Sequence, residues 1–175
     1  MIKAIQTQYK GYFFRSRLEA RWAVFFDALG IAWEYESEGY ELSDGSWYLP
    51  DFFLPRFSSD NGTFCEVKPT QLNPEERKKV NMLSQGTGAS VLLAVGTPDS
   101  RVYELVGTGG DGVTDAIPVS FSDKHLEESY RFFYVPGFEN SDGTIDDEYL
   151  DPRFQRAIVA ARSARFEHGH RGASR

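Results

Sequence analysis

Leu18, Trp22, Phe25, Phe26 and Leu29 recur at the spacing that lines one face of an α-helix. Ser16 is placed to cap that helix, Glu19 follows at the capping-box interval, and Gly30 stops it. The pattern predicts a helix from Ser16 to about Leu29, with Glu19 at the border of the buried face and Arg17, Arg21 and Val24 turned away. Ile31–Leu42 then alternates Trp33 and Tyr35 with Glu34 and Glu36, a half-buried strand. Asp44-Gly45 signals a tight turn into a second strand at Trp47, which carries Asp51. A turn cluster at Ser58–Gly62 returns the chain into a third strand, Thr63–Lys68. Asn73 as cap, Pro74 at the first position and acid at 75 and 76 predict a second helix to about Gln85, with Gly86 past its end. Ala89–Gly96 is a continuous apolar run, suited to a strand buried on both faces.

The resulting order is helix, three strands, helix, strand. Ahead of it, Tyr9–Phe14 is an aromatic lead-in that would add an edge strand or pack over the first helix. Beyond it, Arg101–Gly107, Ala116–Phe121 and Phe132–Val135 read as peripheral strands, and Asp151-Pro152 caps a last helix to about Glu167. Gly107–Gly112 matches GxGxxG, but no helix follows, so a loop is expected rather than a dinucleotide site. Asn140–Glu148 has the composition of a calcium loop. Aligning Gly143 to that loop's glycine would put Phe138 and Tyr149 at ligand positions, which excludes an EF-hand. His168 and His170 read as a frayed tail in preference to a metal site.

Composition narrows the class. With 175 residues, 41% hydrophobic and 15% aromatic, the chain has material for one real core. A single cysteine excludes a disulfide framework and a cysteine-rich zinc site, and suits a reducing cytoplasm. The N-terminus lacks the apolar stretch of a signal peptide and no run reaches transmembrane length, so a soluble, cytoplasmic protein without a membrane partner is expected. Net charge is −7 but unevenly spread. Residues 1–30 carry Lys3, Lys10, Arg15, Arg17 and Arg21 against Glu19 and Asp27, a net of +3. Residues 97–151 hold three basic and thirteen acidic side chains, a net of −10, and residues 152–175 hold six Arg against Glu167, a net of +5. The acid is thus concentrated in one segment, and both ends are basic, which leaves a nucleic-acid partner open.

The candidate chemistry lies between Tyr48 and Pro69. Asp51 interrupts one apolar run, and Glu66 and Lys68 interrupt the next. Strand alternation points Glu66 and Lys68 to one side and Cys65 and Val67 to the other. Carboxylates on buried strands are costly to desolvate unless they bind something, and a divalent metal is the natural partner of hard oxygen ligands.

Pro50-Asp51 followed by Glu66-Val67-Lys68 resembles the PD-(D/E)XK signature of the restriction-endonuclease-like nuclease superfamily. The resemblance covers roughly residues 9–96 and agrees with the element order. It extends to Glu19, since branches of the superfamily, among them Holliday-junction resolvases and transposon end-cleaving endonucleases, place an additional acidic residue on the preceding helix. It implies an α/β fold, with a restriction-endonuclease-like core over 1–96 and an acidic extension over 97–175. That extension, of short strands and one basic helix, would belong to the same domain. It also implies a metal-dependent endonuclease acting on DNA, recognising DNA structure or targeted by a partner, of the compact kind frequent in phages and mobile elements.

Under that resemblance magnesium, or manganese in its place, would be held by Asp51, Glu66 and the Val67 carbonyl, with Glu19 completing the shell. Lys68 would orient the attacking water or neutralise developing charge. Arg15, Ser16 and Arg17, at a helix N-terminus, would contact phosphate. Paired cuts would call for a homodimer. Three alternatives stay open. Glu19 is either a capping-box glutamate or, as its border position in the helix before the Asp51 strand favours, a site residue, and would serve both roles only by leaving the cap when metal is present. Arg77, Lys78 and Lys79 are either a solvated face or a phosphate contact. The whole chain is either a nuclease or an inactive relative that binds nucleic acid or another protein.

Overall fold

The computed structural model describes residues 6–55, 57, 61–99, 103–107, 116–121, 133–134 and 152–166. The expected loops at 108–112 and 140–148 and the histidines at 168 and 170 lie outside them. The aromatic lead-in forms a hairpin of β1 (Thr7–Tyr9) and β2 (Tyr12–Phe14). Its two loop residues, Lys10 and Gly11, both have positive φ (47° and 84°), the geometry that matches strand twist in a two-residue turn. Next comes α1 (Arg17–Leu29), capped by the Ser16 hydroxyl on the Glu19 N–H and ended by left-handed Gly30.

The run read as one strand, Ile31–Leu42, is two: β3 (Glu34–Tyr35) and β4 (Tyr40–Glu41). Glu36 takes φ 44°, a left-handed conformation that turns the chain out of the sheet directly after β3. Strand β4 pairs instead with β5 (Trp47–Tyr48) in a separate hairpin around Asp44-Gly45. The expected turn is therefore present, but its second strand ends at Tyr48 and does not carry Asp51. That residue stands immediately before β6 (Phe52–Leu54), which pairs antiparallel with β3 and with β7 (Thr63–Lys68).

Helix α2 (Pro74–Thr87) starts with a full Asn73–Glu76 capping box. It runs past Gly86 and stops at Gly88, whose φ of 71° and N–H to the Ser84 carbonyl make it the true terminator. It crosses from β7 to β8 (Ser90–Val95), the parallel neighbour of β7. Then follow β9 (Tyr103–Val106), β10 (Ala116–Phe121), β11 (Phe133–Tyr134) and α3 (Pro152–Ser163), the last ending before the expected Glu167. Among the described residues the main sheet is mixed and seven-stranded, ordered β11-β10-β9-β8-β7-β6-β3. The fold is thus mixed α/β, with three helices among the described residues.

Alternation along the central strands splits the core into two layers. Cys65, Val67, Leu92 and Ala94 face α1 and α3; Phe64, Val91 and Leu93 face the side covered by α2 and the β4–β5 hairpin. Burying each such aliphatic or aromatic side chain stabilises the fold by roughly 1.5–3 kcal/mol relative to exposure. The buried face of α1 is rotated from the expected stripe: Glu19, Ala20 and Ala23 are buried with Trp22, Phe25 and Phe26, while Leu18 and Leu29 are only partly so. The cause is α3, whose small Ala157 and Ala161 join Ala20 and Ala23 in one cluster and let the two helices approach closely. Arg21 Nη1 then donates to the Ala161 carbonyl (2.6 Å) and to that of Arg162, holding the C-terminal turn of α3. No helix among the described residues is long and apolar enough to cross a membrane.

Candidate active site

The register Phe52↔Cys65 brings the residue before β6 opposite the residue after Cys65, so Asp51 and Glu66 meet at the end of the β6–β7 pair. Both are 3% exposed. Pro50 has no N–H with which to extend the ladder. There the Asp51 side chain takes over from the backbone: its Oδ2 accepts the Val67 N–H at 2.8 Å. The Asp51 carbonyl accepts the Glu36 N–H at 3.0 Å, which ties the residue to the end of β3 as well.

On β7, Glu66 and Lys68 share a side as alternation requires, with Lys68 Nζ 2.9 Å from Glu66 Oε1 and 4.0 Å from Glu76 Oε1. The other carboxylate oxygen, Glu66 Oε2, is buried with no hydrogen-bond partner. The Tyr48 phenol lies against Glu66; burial first, then the charge of Glu66 and a hydrogen bond to that carboxylate, push it well above its ordinary range.

The start of α1 closes the opposite side. Glu19, 7% exposed, has both oxygens engaged. Its Oε1 accepts the Ser16 hydroxyl (2.7 Å), and its Oε2 accepts the Arg15 N–H (3.0 Å) and the Tyr35 hydroxyl. Of the capping box only the Ser16 half is formed. Glu19 accepts from the Ser16 hydroxyl, the Arg15 N–H and the Tyr35 hydroxyl, and not from the Ser16 N–H. The Arg15 guanidinium reaches past it, Nη2 donating to Asp51 Oδ1 and Nε standing 2.6 Å from Glu36 Oε1. That Glu36 oxygen has no hydrogen bond, so the second contact is an ion pair whose N–H is not aimed at its partner.

Electrostatics follow from this arrangement. Burial, and then the charge of Glu66, push the Asp51 carboxyl up to about 7, against the opposing pull of the Val67 N–H and Arg15. Burial alone would lower Lys68, but the charge and hydrogen bond of Glu66, helped by Asp51 and Glu76, outweigh it and hold the ammonium above its usual range. Arg15 behaves alike, with Asp51 the largest of the charges that overcome its desolvation. Lys68 is therefore a standing cation, unsuited to act as a general base.

The structure thus gathers Arg15, Ser16, Glu19, Asp51, Glu66, Val67 and Lys68 around one end of the β6–β7 pair, while Arg17 stands exposed on the first turn of α1. Among the described residues no three His, Cys, Asp or Glu side chains converge closely enough to form a metal-binding group. Tyr35, Glu36 and Tyr48 stand against the candidate site and were not singled out from the sequence. The alternation of aromatic and acidic residues through 33–36 was the signal for the first two, and the place of Tyr48 at the head of the stretch to Pro69 was the signal for the third. Of the basic run on α2, Arg77 forms an ion pair with Glu104 of β9 at 2.8 Å, which is neither the solvated face nor the phosphate contact weighed for it. No protein-family model matches the chain, and no curated protein matches it either.

Proposed function

We propose that the chain is a metal-dependent nuclease with a restriction-endonuclease-like core, hydrolysing phosphodiester bonds in DNA at the Asp51–Glu66 pair. One observation carries this reading: Glu66 Oε2 is a buried carboxylate oxygen that accepts no hydrogen bond, beside an aspartate whose ionisation the same site opposes. A dication is the ligand that relieves both. The donor set fits magnesium, which keeps several waters and takes one or two carboxylates together with substrate phosphate oxygens; a third converging side chain is not required. Asp51, Glu66 and the Val67 carbonyl would hold it, with Glu19 reached through water. When bound it would supply Lewis-acid polarisation of the phosphate and a water of lowered pKa.

The chain's own groups do the rest. Lys68, pinned by Glu66, presents a fixed positive charge to the oxygen on which negative charge develops. Glu66 keeps that ammonium protonated. The N-terminus of α1 at Ser16 and Arg17 would face the phosphate backbone with its positive dipole end. The protein would work as a cytoplasmic enzyme, in a bacterial or phage-infected cell, and as a homodimer where paired cuts are made.

A second reading, a nuclease-like protein that binds nucleic acid or another protein without cutting, has its own observation. Arg15 already pairs with Asp51, and three donors already hold Glu19. The deciding experiment is incubation with single-stranded, duplex, nicked and four-way-junction DNA and with RNA, in magnesium, manganese or chelator. Cleavage of any of them that requires the metal selects the enzyme; binding without cleavage under every condition selects the second reading.

A further inference from the structure

We propose that Arg15 is the resident counter-ion of the acid pair, which a divalent cation displaces from Asp51 on binding. This rests on the metal-centre reading above. Asp51 is almost fully buried, and the only cation hydrogen-bonded to it among the described residues is the Arg15 guanidinium. The grip is single-ended. Nη2 alone holds Oδ1, and Nε is spent on a Glu36 oxygen at which its N–H does not aim. The strong form of this pairing is a two-pronged fork on one carboxylate, and Arg15 divides its fork between two.

The side chain is 56% exposed, whereas its backbone N–H stays on Glu19. The head can therefore swing outward with no change in α1. The other Asp51 oxygen is fixed by the Val67 N–H, which no cation disturbs. An arriving dication thus meets one buried oxygen with no hydrogen bond, Glu66 Oε2, and one held by a single guanidinium N–H, Asp51 Oδ1. Twice the charge on the same oxygens wins that exchange. The released guanidinium remains beside Glu36 at the edge of the site, its Nη donors free for a phosphate oxygen. Arg15 would then serve as a substrate-binding group only after metal has entered, so loading the metal prepares the phosphate site.

The competing account makes Arg15 a positioning residue that holds Asp51 in ligand geometry, and the two accounts predict opposite signs. Magnesium affinity is measured by calorimetry on the full-length wild type, Arg15→Gln and Arg15→Lys. Displacement predicts that Arg15→Gln binds magnesium roughly tenfold more tightly than wild type, because a competing charge is gone, with Arg15→Lys in between. Binding by Arg15→Gln but not by wild type supports it equally. Equal or weaker binding in Arg15→Gln, with wild type binding, overturns displacement and leaves the metal centre standing. Absence of magnesium binding in all three proteins overturns both. A wild-type measurement covers the case in which the variants fail to fold. The Arg15 Nε–H resonance should move during magnesium titration with the calorimetric midpoint, and a resonance unmoved at saturation overturns the proposal.

Discussion

At the scale of single residues, the site is a balance of buried charges, and two substitutions read it directly. The carboxyl of Asp51, raised to about 7 in the fold from an ordinary value near 3.8, favours its protonated form in the native state. Between pH 4 and 7 the native protein holds a proton that the unfolded chain has released. Metal-free stability should therefore fall as pH rises through that window and stay low above it. The loss would be up to about 4 kcal/mol if the whole shift is expressed. Asp51→Asn keeps an acceptor for the Val67 N–H and removes the titration. In chelator, denaturant unfolding should show the variant gaining on wild type from pH 5 to pH 8; a gap constant with pH would remove the account of this carboxylate.

Lys68→Ala tests the partner. It leaves Glu66 buried without its ion pair and should lower metal-free stability by about 1–3 kcal/mol. Magnesium binding should survive while cleavage falls about 10²–10³-fold, the value of one preorganised charge at a developing anion. Loss of binding and cleavage together would make Lys68 a structural residue. That Glu66 and Lys68 share a side was legible in the sequence because strand alternation is local. The strand expected to carry Asp51 ends at Tyr48 instead, and Asp51 meets Glu66 through the β6–β7 register. The reach of Arg15 to Asp51 and of Tyr35 to Glu19 was not legible, since those pairs are 36 and 16 residues apart and nothing local encodes their meeting.

At the scale of elements, legibility followed the strength of local signals. Helices α1 and α2 start where their caps say, because Ser16 and Asn73 satisfy N–H groups that their own helices leave open. The end of α2 and the split of Ile31–Leu42 were misread for one reason: each depends on which residue adopts a left-handed φ. Gly88 does so where Gly86 does not, and Glu36 does so despite its side chain. Gly62 gives a test of this conformational logic at the entry to β7. Its φ is 71°, and a Cβ there would lie 2.6 Å from a ring carbon of Phe53 and 2.8 Å from the Leu54 carbonyl oxygen. Gly62→Ala should therefore cost more than about 2 kcal/mol, strain and clash adding. Because β7 carries Glu66 and Lys68, magnesium affinity should drop with it. A thermal melt within a degree of wild type would show that the turn relaxes freely.

At the scale of the whole molecule, the central strands are covered on both faces, and the carboxylates sit where β6 begins beside the C-terminal half of β7, between α1 and the β4–β5 hairpin. Among the described residues after 96, β9 extends the sheet and α3 shares the core of α1. That sharing was not legible, because the apolar positions of α3 do not name the face they meet. The basic ends, with Arg156, Arg162 and Arg165 exposed on and after α3, are the parts of an acidic chain suited to a phosphate backbone. The central claim is that the Asp51–Glu66 pair, with its unpartnered Glu66 oxygen, is the metal centre of a nuclease. The most direct test is the magnesium-dependent cleavage rate of wild type and Glu66→Gln on the best DNA substrate, with chelator as control. The account predicts cleavage that stops in chelator and falls at least about 10²-fold in the variant; cleavage that persists in chelator, or at the wild-type rate in Glu66→Gln, would contradict it.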